Sequence, residues 1–310
     1  MMNTHMAALV VASLTMAACN AAPADGERME GANAAAAASA TTAPQTPPSD
    51  VPVPSARDIL RASFGGTERG RYDAQKSAFV EQDEATPEVL WTEVWHRLTF
   101  TSGGKRYFTG LTSAAQADAE GTSGQPVSIA LGQATFVLEN GQWRAVDSGF
   151  VGQLNVNASG NPARIDTDQS RVPSPHVLAD GRVVFAIRMT DFAQGTSLQS
   201  HAVLLFDPRG MAPVGASKPG YPNGGWSLVG ILPTGSDNDA ACEGGAVLTC
   251  AADSGTLRFE PSGTGLPDIR VQRTGTEIVA PGKVRQLGPD DTQLYRYDRA
   301  EAEYVVQRAR

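Results

Sequence analysis

From Val89 onward the chain is a succession of short runs in which apolar and polar residues alternate, each closed by a turn signal. Alternation with a period of two puts one set of side chains on a single face of a strand. Residues 89–100, VLWTEVWHRLTF, read as a long strand, 102–105 as its turn and 106–112 as the return strand. Asn140-Gly141 separates TFVLE from WRAV. These two residues tolerate the left-handed backbone that a two-residue type I′ turn demands, so the segment predicts a hairpin. Asp180-Gly181, between 177–178 and 183–189, predicts a second hairpin with the same turn type. Further strands are expected at 201–206, 226–232, 255–260, 268–273, 293–297 and 303–307, with Tyr295, Tyr297 and Tyr304 pairing across the last hairpin. The 32 glycines and 20 prolines supply the turns that so many short strands need.

One helix stands apart. In SARDILRASF, residues 55–64, Ser55 caps the start, Gly65-Gly66 ends it, and Ile59, Leu60, Ser63 and Phe64 share a face. The expected fold is mainly β: an antiparallel sandwich-like or irregular propeller-like domain with one short N-terminal helix. No fixed-period repeat supports a regular propeller. Segments 113–126 and 208–225 read as long loops. A polar stretch without periodicity marks a weak subdivision of the 55–310 domain near 150–175.

The first 19 residues carry an address. Residues 6–18, MAALVVASLTMAA, match the length of a signal-peptide core and are too short to span a bilayer. Met16-Ala17-Ala18-Cys19 resembles the lipobox of bacterial lipoproteins. The resemblance implies a signal peptide over 1–18, diacylation of Cys19, and a partner in the lipid bilayer. The leader MMNTH lacks Lys and Arg, and Met16 stands where Leu is usual; cleavage beside an alanine without lipid, or a buried N-terminal helix, are the competing readings. Asn20 resembles the residue after the anchor in lipoproteins sent to the outer membrane, which implies its periplasmic face. Residues 19–54 are rich in Ala, Pro, Ser and Thr with few large apolar side chains. Such a segment cannot offset its ordering entropy and reads as a disordered tether.

Three cysteines occur in all. With Cys19 assigned to lipid, Cys242 and Cys250 remain, and an even pair in an oxidising compartment suggests a disulfide; two separate thiols are the alternative. A weak calcium candidate is Asp237, Asp239 and Glu243. Its spacing fails the EF-hand pattern, because Cys242 stands where that loop needs Gly. A solvated turn next to the disulfide is the preferred reading of these acids. Otherwise no metal site and no cofactor is expected.

Catalytic signatures are missing from the sequence. There is no G-x-S-x-G elbow and no H-x-H or H-E-x-x-H pair. His96, His176 and His201 are widely spaced; His96, beside Trp95 in a strand, reads as a surface or edge residue, and His201 as half-buried. Residues 101–105 lack the first Gly of a phosphate loop, and Gly-Pro-Asp-Asp at 288–291 is explained by turn chemistry. Net charge is −8 and no basic block is present, so nucleic acid is not an expected partner. The tryptophans Trp91, Trp95, Trp143 and Trp226 are candidates to line a sugar-binding surface; Trp91 and Trp95, four apart on one strand face, are its weak ligand-binding candidates, against a core-facing pair as the plain alternative.

The runs ENGQWRAVDSGFVGQ, HVLADGRVVFAIRMTDFAQG and HAVLLFDPRG, with 242–275 after them, resemble a group of bacterial exported β-rich proteins of unassigned function. The resemblance covers under half the chain. It implies a similar fold and no activity. The sequence therefore leads to a membrane-anchored, non-enzymatic domain that binds an envelope protein or glycan or serves in envelope assembly. An envelope hydrolase acting on glycan or peptide is the runner-up.

Overall fold

The computed structural model describes residues 51–68, 70–82, 89–117, 126–157, 166–167, 173, 175–212, 214, 224–242, 249–262 and 265–307. Chain contacts divide it into a unit over 1–45, outside the described residues, and a unit over 46–310. Everything below concerns the second unit. No described helix is long and apolar enough to cross a membrane.

The elements are helix α1 (Ala56–Ser63) and strands β1 (Arg71–Asp73), β2 (Ala78–Gln82), β3 (Val89–Ser102), β4 (Lys105–Ala117), β5 (Pro126–Glu139) and β6 (Gln142–Asn157). They continue with β7 (Asp166–Thr167), β8 (His176–Val177), β9 (Val183–Ala193), β10 (Thr196–Phe206) and β11 (Trp226–Asp237). A single helical turn, α2 (Asp239–Cys242), precedes β12 (Ala252–Glu260), β13 (Asp268–Ala280), β14 (Lys283–Leu287), β15 (Thr292–Asp298) and β16 (Glu303–Gln307). All pairings are antiparallel.

Strands β1 to β6 form one sheet in sequence order, a plain meander. The second sheet runs β16-β15-β13-β12-β11-β10-β9-β7, with β14 added to β13 and β8 to β9. Its continuity is thin at one place: β11 and β12 pair only through Ser236 and Asp237 with Asp253 and Ala252. There the sheet turns over, and three layers result. Val183, Phe185, Ile187 and Met189 of β9 and Ala202, Leu204 and Phe206 of β10 pack against Leu98, Phe100, Leu111, Leu131 and Leu154 of the first sheet. The opposite face of the same strands presents Val184 and Val203 to Ile269, Val271, Tyr295 and Tyr304. Strands buried on both faces read as continuous apolar runs, which is why VVFAI and AVLLF look unlike the other strands. The fold is thus an antiparallel sandwich-like β domain, with no closed barrel. Phe100, Phe185, Phe206 and Trp226 meet at its centre with ring centroids 5.0–5.7 Å apart.

Helix α1 closes the outer face of the first sheet. Ser55 and Asp58 form a reciprocal capping box. Ile59 and Ala62 pack on Phe108, Ala134 and Phe136. Burying Ile59 and Leu60 contributes about 1.5–3 kcal/mol each. Close approach needs Gly110, where a Cβ would lie 2.3 Å from Ile59 Cγ2.

The Asn140-Gly141 hairpin forms as expected, with φ of 51° and 75°. The second turn differs. Only Gly181 is left-handed (φ 86°), Gly181 N donates to Leu178 O, and Leu178 N donates to Arg182 O. This is a three-residue loop with Gly in the left-handed position, which spares Asp180 a positive φ. The 113–126 loop is shorter than expected because β4 runs to Ala117 and β5 starts at Pro126. Tyr297 pairs with Tyr304, edge to face at 5.6 Å, whereas Tyr295 lies opposite Val306.

Candidate functional site

Two side-chain constellations stand out, and the first is structural. Asp147 of β6 is fully buried between the sheets. Its carboxylate accepts from Gln133 Nε2 at 2.8 Å, Gly225 N at 2.8 Å and Ala212 N at 3.0 Å. Gln133 Oε1 accepts from Thr135, whose hydroxyl accepts in turn from Trp226 Nε1. Burial raises the carboxyl pKa, and the hydrogen bonds from Gly225, Ala212, Gln133 and Ser148 oppose that rise without cancelling it. A raised carboxyl is the mark of a general acid. Here every partner is a structural donor, and the group ties Ala212 and Gly225 to the first sheet.

The second constellation is an open groove of about 600 Å³ alongside α1. Val51, Pro52, Val53 and Pro54 line it on one side. Ala62 and Arg61 of the helix, Phe136 and Ala145 of the sheet, and the tip of the Asn140-Gly141 hairpin complete it. Trp143 is its largest side chain, packed on Phe108 at 5.9 Å. The Trp143 indole N–H is buried and makes no hydrogen bond. An unpaired buried donor costs roughly 1–3 kcal/mol, so an acceptor arriving there is favoured. Asp58 and Arg61 give the otherwise apolar rim one charge of each sign. The alternation of WRAV puts Trp143 and Ala145 on one face; the signal available in the sequence was that the apolar face of α1 needed exactly such a sheet face to cover.

Of the residues singled out from sequence, Trp143 lies in this groove and the others fall elsewhere. Trp95 is buried in the inter-sheet core. Trp91 is partly exposed, and Lys76 Nζ sits 3.9 Å from its ring centroid, a cation–π contact on one face of the indole. His96 is buried, which corrects the surface assignment. The β3–β4 ladder skips Trp95, so a bulge interrupts the alternation just before His96. His201 is half-buried, and its Nδ1 lies 3.2 Å from Thr234 Oγ1. His176 stacks on Phe259 at 5.1 Å, and burial lowers its pKa.

Cys242 and Cys250 are joined as a disulfide, with Cα atoms 5.3 Å apart. It links α2 to the segment entering β12. Their sulfurs and Asp239 form the one cluster of potential metal ligands among the described residues, and sulfurs bonded to each other are not thiolate ligands. Asp237 Oδ1 accepts from Asp239 N in a local turn. Glu243 and Cys19 lie outside the described residues. Comparison of the chain with protein-family models, with curated proteins and with solved structures finds no match.

Proposed function

We propose that this chain is a lipid-anchored envelope protein whose domain works by binding, held at the periplasmic face of the outer membrane through Cys19. Its ligand is an extended peptide segment of another envelope protein, received in the groove beside α1. The observation that carries the reading is Trp143: a large aromatic face with a buried, unbonded N–H in an open apolar groove. Extended, proline-containing segments suit such a site, because aliphatic and pyrrolidine faces stack on the ring while a backbone carbonyl takes the indole N–H. The chain's own Val51-Pro52-Val53-Pro54, lining the same groove, illustrates the chemistry the wall accepts. The lipobox-like MAAC and the Ala/Pro-rich residues 20–50 support the location, since a domain on such a tether stands off the membrane where other envelope proteins reach it.

The test is site-specific photocrosslinking in cells from Gln142, at the groove's rim, with the same probe at Glu301 as the remote control. A single adduct from position 142 that disappears in Trp143→Ala and persists in Trp91→Ala supports the reading. An adduct pattern indifferent to Trp143 overturns the groove. Release of the Cys19→Ser chain from the membrane fraction is expected, and its unchanged membrane association would overturn the anchor.

A further inference from the structure

Strand β13 is longer than the sheet that holds it. It pairs with β12 only as far as Gly275, and with β15 only over Ile269–Gln272. From Thr276 to Ala280 its partner among the described residues is β14 alone. A two-stranded ribbon therefore projects from the third layer and turns at Pro281-Gly282, where Gly282 has φ 72°. Such a ribbon is marginal by itself in water.

Its foot is braced by charge. Arg273 Nε donates to the buried Asp253 at 2.7 Å and lies 3.6 Å from Glu277. Arg285 Nε donates to Glu277 at 2.7 Å and also meets Asp291 at 2.7 Å. Leu287, opposite Gly275, is buried. Beyond this foot the character changes. Ile278, Val279 and Val284 are 45%, 52% and 45% exposed, and Ile278 faces Val284 across the strands. Residues 278–284, IVAPGKV, carry one charge, Lys283, in a chain whose net charge is −8.

A braced stalk that spends its rigidity on presenting solvent-exposed aliphatic side chains requires a covering surface. Strand addition is disfavoured at this end. Lys283 and Arg285 on the edge strand, Pro281 in the turn and the register shift at Val279 are the features that keep edges from pairing. A contact made by the tip's side chains is what remains. Aliphatic groups with a single cation among them match the interfacial zone of an anionic bilayer, where apolar side chains enter the headgroup boundary and Lys meets phosphate.

We infer that the β13–β14 ribbon is a membrane-contact finger: Ile278, Val279 and Val284 seat in the interface of an anionic bilayer with Lys283 at the phosphates. The inference rests on the envelope reading for its setting, and adds a second, non-covalent attachment that fixes how the tethered domain faces the lipid.

The test uses the Cys19→Ser chain, so that no acyl group contributes, mixed with vesicles of phosphatidylethanolamine and phosphatidylglycerol. Cosedimentation is compared between this chain and the same chain carrying Ile278→Asp and Val284→Asp, both half-exposed. Because the two Asp residues face each other across the strands, the same comparison is made with Ile278→Thr and Val284→Thr, which keep strand-forming residues at both positions. Thermal melting checks that each chain is folded. The ribbon substitutions are expected to weaken vesicle binding at least about tenfold. Equal binding of the parent and substituted chains, or no binding by any, overturns the inference. A concentration-dependent dimer in sedimentation velocity that the two substitutions abolish also overturns it, and assigns the finger to a second copy. Flotation of the acylated chain tests the Cys19 anchor independently, whatever the ribbon does.

Discussion

Replacing Asp147 with Ala removes an acceptor shared by two buried donors and one half-buried one. Gln133 Nε2, Gly225 N and Ala212 N each lose a partner at 2.8–3.0 Å. A buried donor left unpaired costs about 1–3 kcal/mol. Two contributions reduce the sum: the charge itself was costly to bury, and Ala212 is near enough to solvent to find water. We expect a loss of about 3 kcal/mol. In a domain of this size that lowers the melting temperature by roughly 6–12 °C. Urea unfolding followed by tryptophan fluorescence measures it, since Trp226 belongs to the same network through Thr135. Hydrogen exchange at Gly225 and Ala212 reports the local consequence, release of these two amides. The pH dependence supplies a second check. The folded-state pKa is raised, so between the ordinary carboxylate value and the raised one the folded protein holds more protons than the unfolded chain. Stability from this group is therefore full at low pH and declines as pH rises through the raised value. The penalty of Asp147→Ala is accordingly larger near pH 4.5 than near pH 8. A loss under about 1 kcal/mol, with unchanged protection at Gly225, would refute the assignment of this network as the bolt between the sheets.

Two further substitutions probe how the layers are held. Gly110→Ala places a methyl group where Ile59 Cγ2 already sits. Overpacking of this kind costs about 1–3 kcal/mol, and limited proteolysis after Arg61 is expected to accelerate as α1 is displaced; unchanged melting and cleavage would show that the helix has room to spare. Arg273→Met strips the cation from a fully buried Asp253, leaving Ser236 as its remaining support. A loss of about 3–5 kcal/mol is expected, with early hydrogen exchange in β12–β16, and a melting curve like that of the parent would sink the claim that this pair fixes the corner between β11 and β12.

Alternation and turn chemistry made most of the strands readable, because each rule acts within a few residues. Asn140-Gly141 forms the turn its two residues require. Ser55 to Gly66 forms the capped helix. What escaped the sequence is the set of places where alternation breaks. In β3 the ladder skips Trp95, and His96 follows it into the interior. Between β5 and β6 the register shifts at Thr135 and Phe136, so that Val146 of β6 is the extra residue. Counting by twos from Trp143 and Ala145 puts Asp147 on the helix-facing side. The bulge brings it to the inter-sheet side with Val146, where the buried network forms. A bulge is chosen by long-range packing, which a local pattern does not register.

The same reasoning separates the residues that look chemical from those placed to meet something. Trp91, Trp95 and the histidines attracted notice by residue type, and packing absorbs each of them: the core, a lysine, a phenylalanine, a threonine. The 278–284 tip drew no such notice, and Trp143 drew it only as one of four tryptophans. Trp143 sits in an ordinary hairpin strand, and IVAPGKV reads as an ordinary turn between short strands. Their significance is topological. The groove exists because α1 covers the outer face of the first sheet only in part, and Trp143 lies at the uncovered end. The finger exists because β13 outruns both β12 and β15. Each is an apolar surface that the fold has stopped short of burying, and burying either would have required only a longer helix or a shorter strand. An aliphatic tip left in water on a charge-braced stalk, and an indole N–H left without an acceptor, are both costs to the folded state. A partner that relieves them converts those costs into binding free energy, which is the physical reason to look for function there and not among the satisfied polar groups of the core.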